Sequence, residues 1–177
     1  MRTLIIILSI ALASCQQQSK QIEALTTQND SLTNQIEALT TQSKMDLTEE
    51  REAIEQVLGT YENALNNSDV EAAVALYTED GVFMPTEAPT ATGTEEIRAS
   101  YTHVFNAIQL SIKFQIDEIE VDGNLAFAKT GSEGEVKVLA ADITAPEKNR
   151  ELFVFQKVNG AWKIARYMFN KAEPAAK

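Results

Sequence analysis

Hydrophobic positions divide the chain into segments with different patterns. Residues 4–13 form one apolar run that ends just before the only cysteine, Cys15. Residues 16–44 carry single apolar residues at heptad spacing in a polar background. From residue 46 onward, apolar positions first recur every three or four residues, which predicts helices. After Leu110 they mostly alternate with polar ones, which predicts strands.

The first apolar run predicts an export signal. It is shorter than the roughly 20 residues that cross a bilayer, and it matches the core of a signal peptide, about 7–15 residues long. It ends in a sequence that resembles the lipobox of bacterial lipoproteins, Leu12-Ala13-Ser14-Cys15. We therefore expect residues 1–14 to be removed and Cys15 to carry lipid; a plain cleaved signal with a stray thiol is the alternative.

The predicted lipid places the protein in the cell envelope. Gln16 follows the cysteine, and it is not the aspartate that retains some lipoproteins in the inner membrane. We therefore expect a lipid-anchored protein at the outer membrane, on its periplasmic or surface face.

A stalk is predicted for residues 15–45. Residues 21–28 recur unchanged at 35–42, which is a repeat of two heptads. The two core positions would hold Ile22, Asn29 and Ile36, and Leu25, Leu32 and Leu39. Isoleucine at the first position and leucine at the second favour a parallel dimeric coiled coil. A flexible polar linker rich in Gln, Thr and Ser is the alternative.

Residues 46–170 predict an α+β domain, followed by a disordered tail at 171–177. Helical spacing predicts a helix from Asp46 to about residue 66, a second helix capped by Ser68, and a third helix. The third helix covers about 95–107, after a short strand at 82–84. The later strands are expected at residues 110–121, from residue 125 onward, and at residues 136–143, 152–158 and 162–169. A β-bulge is expected near residue 117. Polar connections are expected at residues 131–134 and 146–149.

Charge and residue counts exclude several classes of function. The chain has 26 acidic and 15 basic residues and a net charge of −11, so it repels nucleic acid, and membrane attachment would rest on lipid. One histidine and one cysteine allow no disulfide, no two-histidine metal motif and no secure Ser/His/Asp arrangement. We expect no metal and no cofactor, since a glycine-rich phosphate loop is also absent from the sequence.

Several short motifs of the domain occur in an order that is familiar from one superfamily. They are Tyr61, Ser68-Asp69-Val70-Glu71, Leu76-Tyr77-Thr78-Glu79-Asp80-Gly81, Pro85, Gly93, Glu96-Ile97 and the closing segment 159–170. This set resembles the NTF2-like superfamily, particularly its SnoaL-like and DUF4440 branch, to which ketosteroid isomerases are related. The resemblance covers about residues 46–169. It implies a cone of about three helices packed on a curved antiparallel sheet, with a pocket between them and dimerisation through the sheet.

The resemblance to ketosteroid isomerases also implies that two of their catalytic groups are missing here. Tyr61 falls where their first-helix catalytic tyrosine lies. Their base is an aspartate directly before the proline that follows the first strand, and here that position is Met84. Their second donor, a buried aspartate of the penultimate strand, pairs without gaps with Leu152 or an apolar neighbour. We therefore expect no steroid-type isomerisation.

The predicted ligand pocket combines residues from helices and strands. It comprises Tyr61, Phe83, Met84, His103, Phe127 and Trp162. Tyr61 and His103 are the candidate catalytic groups, although a core tyrosine and a structural histidine are the simpler interpretation of each.

Two functions remain open. We favour a tethered, dimeric envelope lipoprotein whose domain binds a small apolar ligand or a protein partner without catalysis. The alternative is an enzyme that performs acid/base chemistry on a small hydrophobic substrate. A deep cavity with His103 or a carboxylate within hydrogen-bond reach of Tyr61 would favour the enzyme, whereas a cavity filled by Met84, Phe83 and Phe127 would exclude it.

Overall fold

A computed structural model describes the backbone of residues 2–172 and the side chains of residues 18, 20–44 and 46–172. The chain separates into two units, Met1–Asp46 and Leu47–Lys177. The side chains of the predicted signal peptide and of Cys15 lie outside the described residues, as do residues 173–177 of the predicted tail.

The first unit is helical. Helix α1 spans Arg2–Asn66, which confirms the predicted helical stalk. All side chains of residues 20–44 are exposed, and the heptad residues Ile22, Leu25, Leu32, Ile36 and Leu39 expose 50–70% of their surface. Among the described residues, no helix has a stretch long and apolar enough to cross a membrane.

The second unit contains the end of α1, two further helices and one sheet within residues 47–172. The elements are α2 (Val70–Val74), β1 (Tyr77–Met84), β2 (Ala91–Thr92), α3 (Gly93–Ala107), β3 (Ile108–Asp122), β4 (Leu125–Val138), β5 (Ile143–Val158) and β6 (Ala161–Lys171). The strand order is β2-β1-β6-β5-β4-β3. Only the β1–β6 pair is parallel among the described strands. This arrangement confirms the predicted α+β cone.

The sheet is irregular where the sequence predicts it. The β3–β4 register shifts between Ile116 and Glu118, which matches the predicted bulge, and bulges bend a sheet. A second constraint lies at Gly134, where an added Cβ would be 2.1 Å from the Ser111 carbonyl oxygen. Only glycine therefore permits this close approach of β3 and β4.

Some predicted boundaries were wrong. The connection between β4 and β5 lies at residues 139–142, so the predicted strand at 136–143 is not one strand. Residues 131–134 and 146–149, predicted as connections, lie inside β4 and β5. Their polar side chains pair with each other across the two strands, as in the Lys148–Glu133 ion pair. Polar cross-strand pairs stabilise a strand that lacks apolar alternation.

The cap of α2 was also assigned to the wrong residue. Ser68 adopts a left-handed conformation with a φ of 53°. Asp69 caps the helix instead, because its side chain accepts a 2.9 Å hydrogen bond from the backbone N–H of Ala72.

The core lies between the helices and one face of the sheet. Its largest fully buried side chains include Tyr61, Tyr101, Phe153, Phe155, Ile54, Leu58, Ile97 and Ile164. Tyr61 of α1 is central among the rings, since it stacks on Phe114 at 5.9 Å and meets Phe153 edge-on at 5.7 Å. The hydroxyl groups of the four buried tyrosines in this described core, Tyr61, Tyr77, Tyr101 and Tyr167, require hydrogen-bond partners.

Candidate ligand cavity

A cavity of about 90 Å³ lies in the second unit between α1, α3 and the sheet. Most of its wall is apolar and comes from Leu65, Phe83, Pro85, Val104, Ile108, Leu110, Ile112 and Phe169. Polar groups reach it from Tyr61, Tyr101, Tyr167, Glu147, Asn149 and Glu151. An apolar cavity with a few convergent polar groups is the usual form of a small-molecule site.

Three tyrosines from three elements form a chain of hydroxyls beside the cavity. Tyr101 of α3 hydrogen-bonds to Tyr61 of α1, and its hydroxyl also lies 2.8 Å from that of Tyr77 of β1. Burial raises the pKa of all three phenols well above its usual value, so they stay neutral. Tyr61 and Tyr77 also interact through their hydroxyls, so the three phenols hydrogen-bond among themselves.

A buried carboxylate stands in the penultimate strand. Glu151 of β5 is 5% exposed. Its Oε2 accepts from Thr130 at 2.7 Å, and its Oε1 accepts from Ser132 at 2.9 Å and from the Tyr167 hydroxyl at 3.3 Å. Burial raises the pKa of Glu151, although these three hydrogen bonds act in the opposite direction. The described residues provide it with no basic partner.

Strand alternation puts these groups on one face. Glu147, Asn149 and Glu151 are alternate residues of β5 and therefore point to the same side. In the register of β4 and β5, Thr130 lies opposite Glu151 and Ser132 lies opposite Asn149. The hydrogen bonds of the carboxylate thus follow directly from strand pairing.

Asn149 brings an unused acceptor to the same wall. The residue is 7% exposed, and its Nδ2 donates to Ser132 Oγ at 3.3 Å and to Glu147 Oε1 at 3.2 Å. Its Oδ1 is buried and has no hydrogen-bond partner. Within the described residues, no three His, Cys, Asp or Glu side chains are grouped so that they could hold a metal ion.

The structure brings only part of the predicted pocket together. Tyr61 and Phe83 line the cavity. Met84 does not, because it follows the buried Phe83 in β1 and therefore points to the opposite face, where it pairs with Met168. Phe127 is 37% exposed, because its two neighbours in β4 are inward-facing alanines and its own side chain therefore points to the opposite face.

His103 was placed in the pocket incorrectly. It lies two residues after the buried Tyr101 on α3 and is exposed. Two residues correspond to about 200° around a helix. The side chain therefore points away from the cavity, and the structure gives it no contact with Tyr61.

Trp162 was likewise assigned to the wrong site. It is 4% exposed, but it is not among the lining residues of the cavity. Its indole N–H donates to Glu50 of α1 at 2.6 Å, and Lys157 forms an ion pair with the same carboxylate. These two hydrogen bonds lower the pKa of Glu50, and they fasten α1 to the β5–β6 hairpin.

The most important residue that sequence reasoning missed is Glu151. The gapless comparison put Leu152 or an apolar neighbour at the second donor position. Leu152 is 40% exposed on the other face of β5, and the buried carboxylate precedes it. Glu151, Phe153 and Phe155 are spaced by two residues, so they lie on the same buried face of the strand. This spacing is visible in the sequence and could have identified Glu151.

Comparisons with known proteins agree with this fold. A family model described as a SnoaL-like domain matches residues 57–167. A ketosteroid isomerase-like protein from Erwinia carotovora atroseptica is 32% identical, with a TM-score of 0.66 over 69% of this chain and 95% of that chain. No curated protein sequence matches the chain.

More distant solved structures share the fold alone. An NTF2-like protein with a cystatin-like fold from Novosphingobium aromaticivorans is 20% identical, with a TM-score of 0.59 over 76% of this chain and 89% of that chain. An NTF2-like superfamily protein from Salmonella enterica serovar Typhimurium is 18% identical, with a TM-score of 0.61 over 70% and 91%.

Proposed function

Because the chain belongs to the SnoaL-like domain family within the NTF2-like superfamily, we propose that its cavity binds a small ligand with an apolar body and a polar end. One observation carries this proposal. The apolar walls lead to a buried polar atom that has no hydrogen-bond partner, namely Asn149 Oδ1. A ligand that donates a hydrogen bond to this atom would recover the free energy lost by burying it.

Binding without catalysis fits the arrangement better than proton transfer does. A general base needs a free lone pair at the reacting carbon. No carboxylate of β1 lines the described cavity, because Met84, which aligns with the isomerase base, points to the opposite face of the sheet. Three lone pairs of Glu151 already accept hydrogen bonds from hydroxyl groups. The tyrosine that donates a hydrogen bond to Glu151 is Tyr167 and not Tyr61. Tyr61 and the carboxylate are therefore not directly hydrogen-bonded.

The enzyme alternative now rests on Glu151 rather than on His103. A buried carboxyl with a raised pKa could donate a proton to a small hydrophobic substrate. The wild-type protein should nevertheless give no measurable isomerisation of a 3-ketosteroid in an absorbance assay. Turnover that disappears in Glu151→Gln would establish the enzyme and overturn the binding module.

We further propose that the protein acts as a dimer held to the envelope by lipid on Cys15. Two surfaces support dimerisation. One is the exposed heptad stripe of residues 20–44. The other is the outer sheet face, where the paired Leu152 and Met168 expose 40% and 41% and Phe127 exposes 37%. A protein partner on this face is the competing occupant.

Native mass spectrometry of the full chain, extracted from its own membrane, tests the proposal. The expected result is a dimer that carries a small molecule. Val104→Trp should expel that molecule, because Val104 lines the cavity and tryptophan would fill the space. His103→Trp, on the neighbouring exposed position, is the matched control and should retain it. A wild-type protein that never carries a ligand, even when small apolar compounds are supplied, would contradict the proposal.

A further inference from the structure

We propose that the ligand presents a protonated amine to the Glu147–Asn149–Glu151 side of the cavity. The inference rests on the proposed binding function and specifies the chemical class of the ligand. Its structural basis is a wall whose hydrogen-bond donors are all in use, while acceptors remain free. A carboxylate without a basic partner and a set of aromatic rings lie next to this wall.

The donors of this wall are all in use. Thr130, Ser132 and Tyr167 give their hydroxyl protons to Glu151. The two N–H groups of Asn149 go to Ser132 and Glu147. A reversed amide would turn an oxygen toward the Glu147 carboxylate, so the observed orientation is the favourable one. What remains at the wall is lone pairs, including the unpartnered Asn149 Oδ1.

Glu151 supplies a charge that the protein itself does not neutralise. Three hydroxyl groups solvate the carboxylate, but no lysine, arginine or histidine belongs to the described lining of the cavity. Lys171 pairs with Glu147 instead, with its Nζ 3.3 Å from Glu147 Oε2. Buried carboxylates are normally paired with a cation. A ligand ammonium at Asn149 and Glu151 would provide that cation.

The remaining walls suit the apolar body of the ligand. Phe83 stacks between Tyr101 and Tyr167, with ring centroids 5.0 Å and 5.4 Å away. Tyr61 packs edge-on against Tyr167 at 5.4 Å. Phe153 stacks on Tyr167 as well, at 4.2 Å, so these rings turn their faces to one another and provide apolar surface for the body of the ligand.

A neutral hydroxyl group on the ligand would satisfy only one of these requirements. It would satisfy Asn149 Oδ1, but it would leave the carboxylate of Glu151 uncompensated. An anion would be repelled by the unpaired carboxylate of Glu151. The ammonium group is therefore the donor that fits both the acceptors of the wall and the charge of Glu151.

Three probes of similar size test this inference. They are benzylamine, which is cationic at neutral pH, benzyl alcohol, which is neutral, and benzoate, which is anionic. Each is titrated by calorimetry into the full-length chain in phosphatidylcholine nanodiscs, with empty nanodiscs as the reference. We expect benzylamine to bind at least about tenfold more tightly than benzyl alcohol and benzoate not to bind.

Variants locate the effect. Glu151→Gln should weaken benzylamine binding about tenfold while benzyl alcohol binding changes less than about twofold. Glu120→Gln, which removes an acid from the exposed part of β3, is the control and should change neither. Asn149→Ala provides a second test if Glu151→Gln fails to fold, and it should also weaken benzylamine binding.

Two outcomes would overturn the inference, and they are distinguishable. If benzyl alcohol or benzoate binds as tightly as benzylamine, the cavity is a binding site but not one for amines. If none of the three probes binds, the proposed function fails together with the inference.

Discussion

Thr130 and Glu151 face each other across β4 and β5, and the threonine hydroxyl donates a 2.7 Å hydrogen bond to the carboxylate. The pair places a charged group deep in an apolar domain and supports it from the neighbouring strand. A single strand register therefore fixes both the position and the solvation of the group.

This carboxylate should make the stability of the domain depend on pH. The pKa of Glu151 is raised from 4.5 by burial, so the folded state holds its proton more tightly than the unfolded state. The free energy of unfolding should therefore fall as the pH rises from 4.5 through the raised pKa. Glu151→Gln should gain stability relative to the wild type between about pH 5 and about pH 8. Urea melts at both pH values measure this, and a difference independent of pH would contradict it.

The tyrosine chain predicts unequal effects of removing its members. Tyr101→Phe breaks two hydrogen bonds and leaves the hydroxyls of Tyr61 and Tyr77 without the partner they share. Tyr77→Phe breaks only one. Each buried hydroxyl left unpaired costs about 1–3 kcal/mol, so Tyr101→Phe should lower the free energy of unfolding clearly more than Tyr77→Phe. Equal losses of the free energy of unfolding in urea melts would mean that the hydrogen bonds among the three tyrosines do not stabilise the fold.

Opposite faces of β1 predict a contrast between two neighbouring residues. Phe83 is 3% exposed and lines the cavity, whereas Met84 is half-buried on the other face. Phe83→Asp should lower the free energy of unfolding by several kcal/mol, about 3 or more, because it buries an unpaired carboxylate. Met84→Asp should have a much smaller effect. A larger loss for Met84→Asp in thermal melts would reverse the assigned faces.

Lipidation of Cys15 remains a prediction from sequence. Cys15→Ala should leave the chain without its acyl groups, so it should no longer partition into the detergent phase of a two-phase extraction. Mass spectrometry of the wild-type N-terminal peptide should show the added lipid. An unchanged partition of the variant would refute the lipobox assignment.

The heptad stripe predicts self-association of the full chain. Leu32 is 50% exposed in the single chain and would be buried in a parallel coil. Leu32→Asp should therefore lower the dimer fraction in analytical ultracentrifugation. Asn34→Asp introduces the same charge at an outward heptad position and is the control. If the two variants behave alike, the segment is a helix without a partner.

Much of the fold was accessible from the sequence because long patterns predict long elements. The heptad repeat indicated the helix of residues 20–44, and the phase change near Asp117 indicated the bulge between Ile116 and Glu118. The ends of β4 and β5 were not accessible in the same way. There, polar cross-strand pairs such as Lys148–Glu133 replace apolar alternation, so the strands looked like loops.

The site was harder to predict because single positions decide it. Tyr61 and Phe83 were placed in the cavity from their elements, but Leu152 and Glu151 differ by one residue and lie on opposite faces of β5. Apolar side chains occupy both faces of this strand, so hydrophobicity alone did not reveal which one was inside. A one-residue shift therefore exchanged a carboxylate for a leucine in the predicted pocket.

The contact between Trp162 and Glu50 has a practical consequence for spectroscopy. The chain has a single tryptophan, and it lies against α1 and Lys157 rather than in the cavity. Its fluorescence should therefore follow the separation of α1 from the β5–β6 hairpin during denaturation. Occupancy of the cavity should leave that emission unchanged, so a ligand screen based on intrinsic tryptophan fluorescence would overlook true binders.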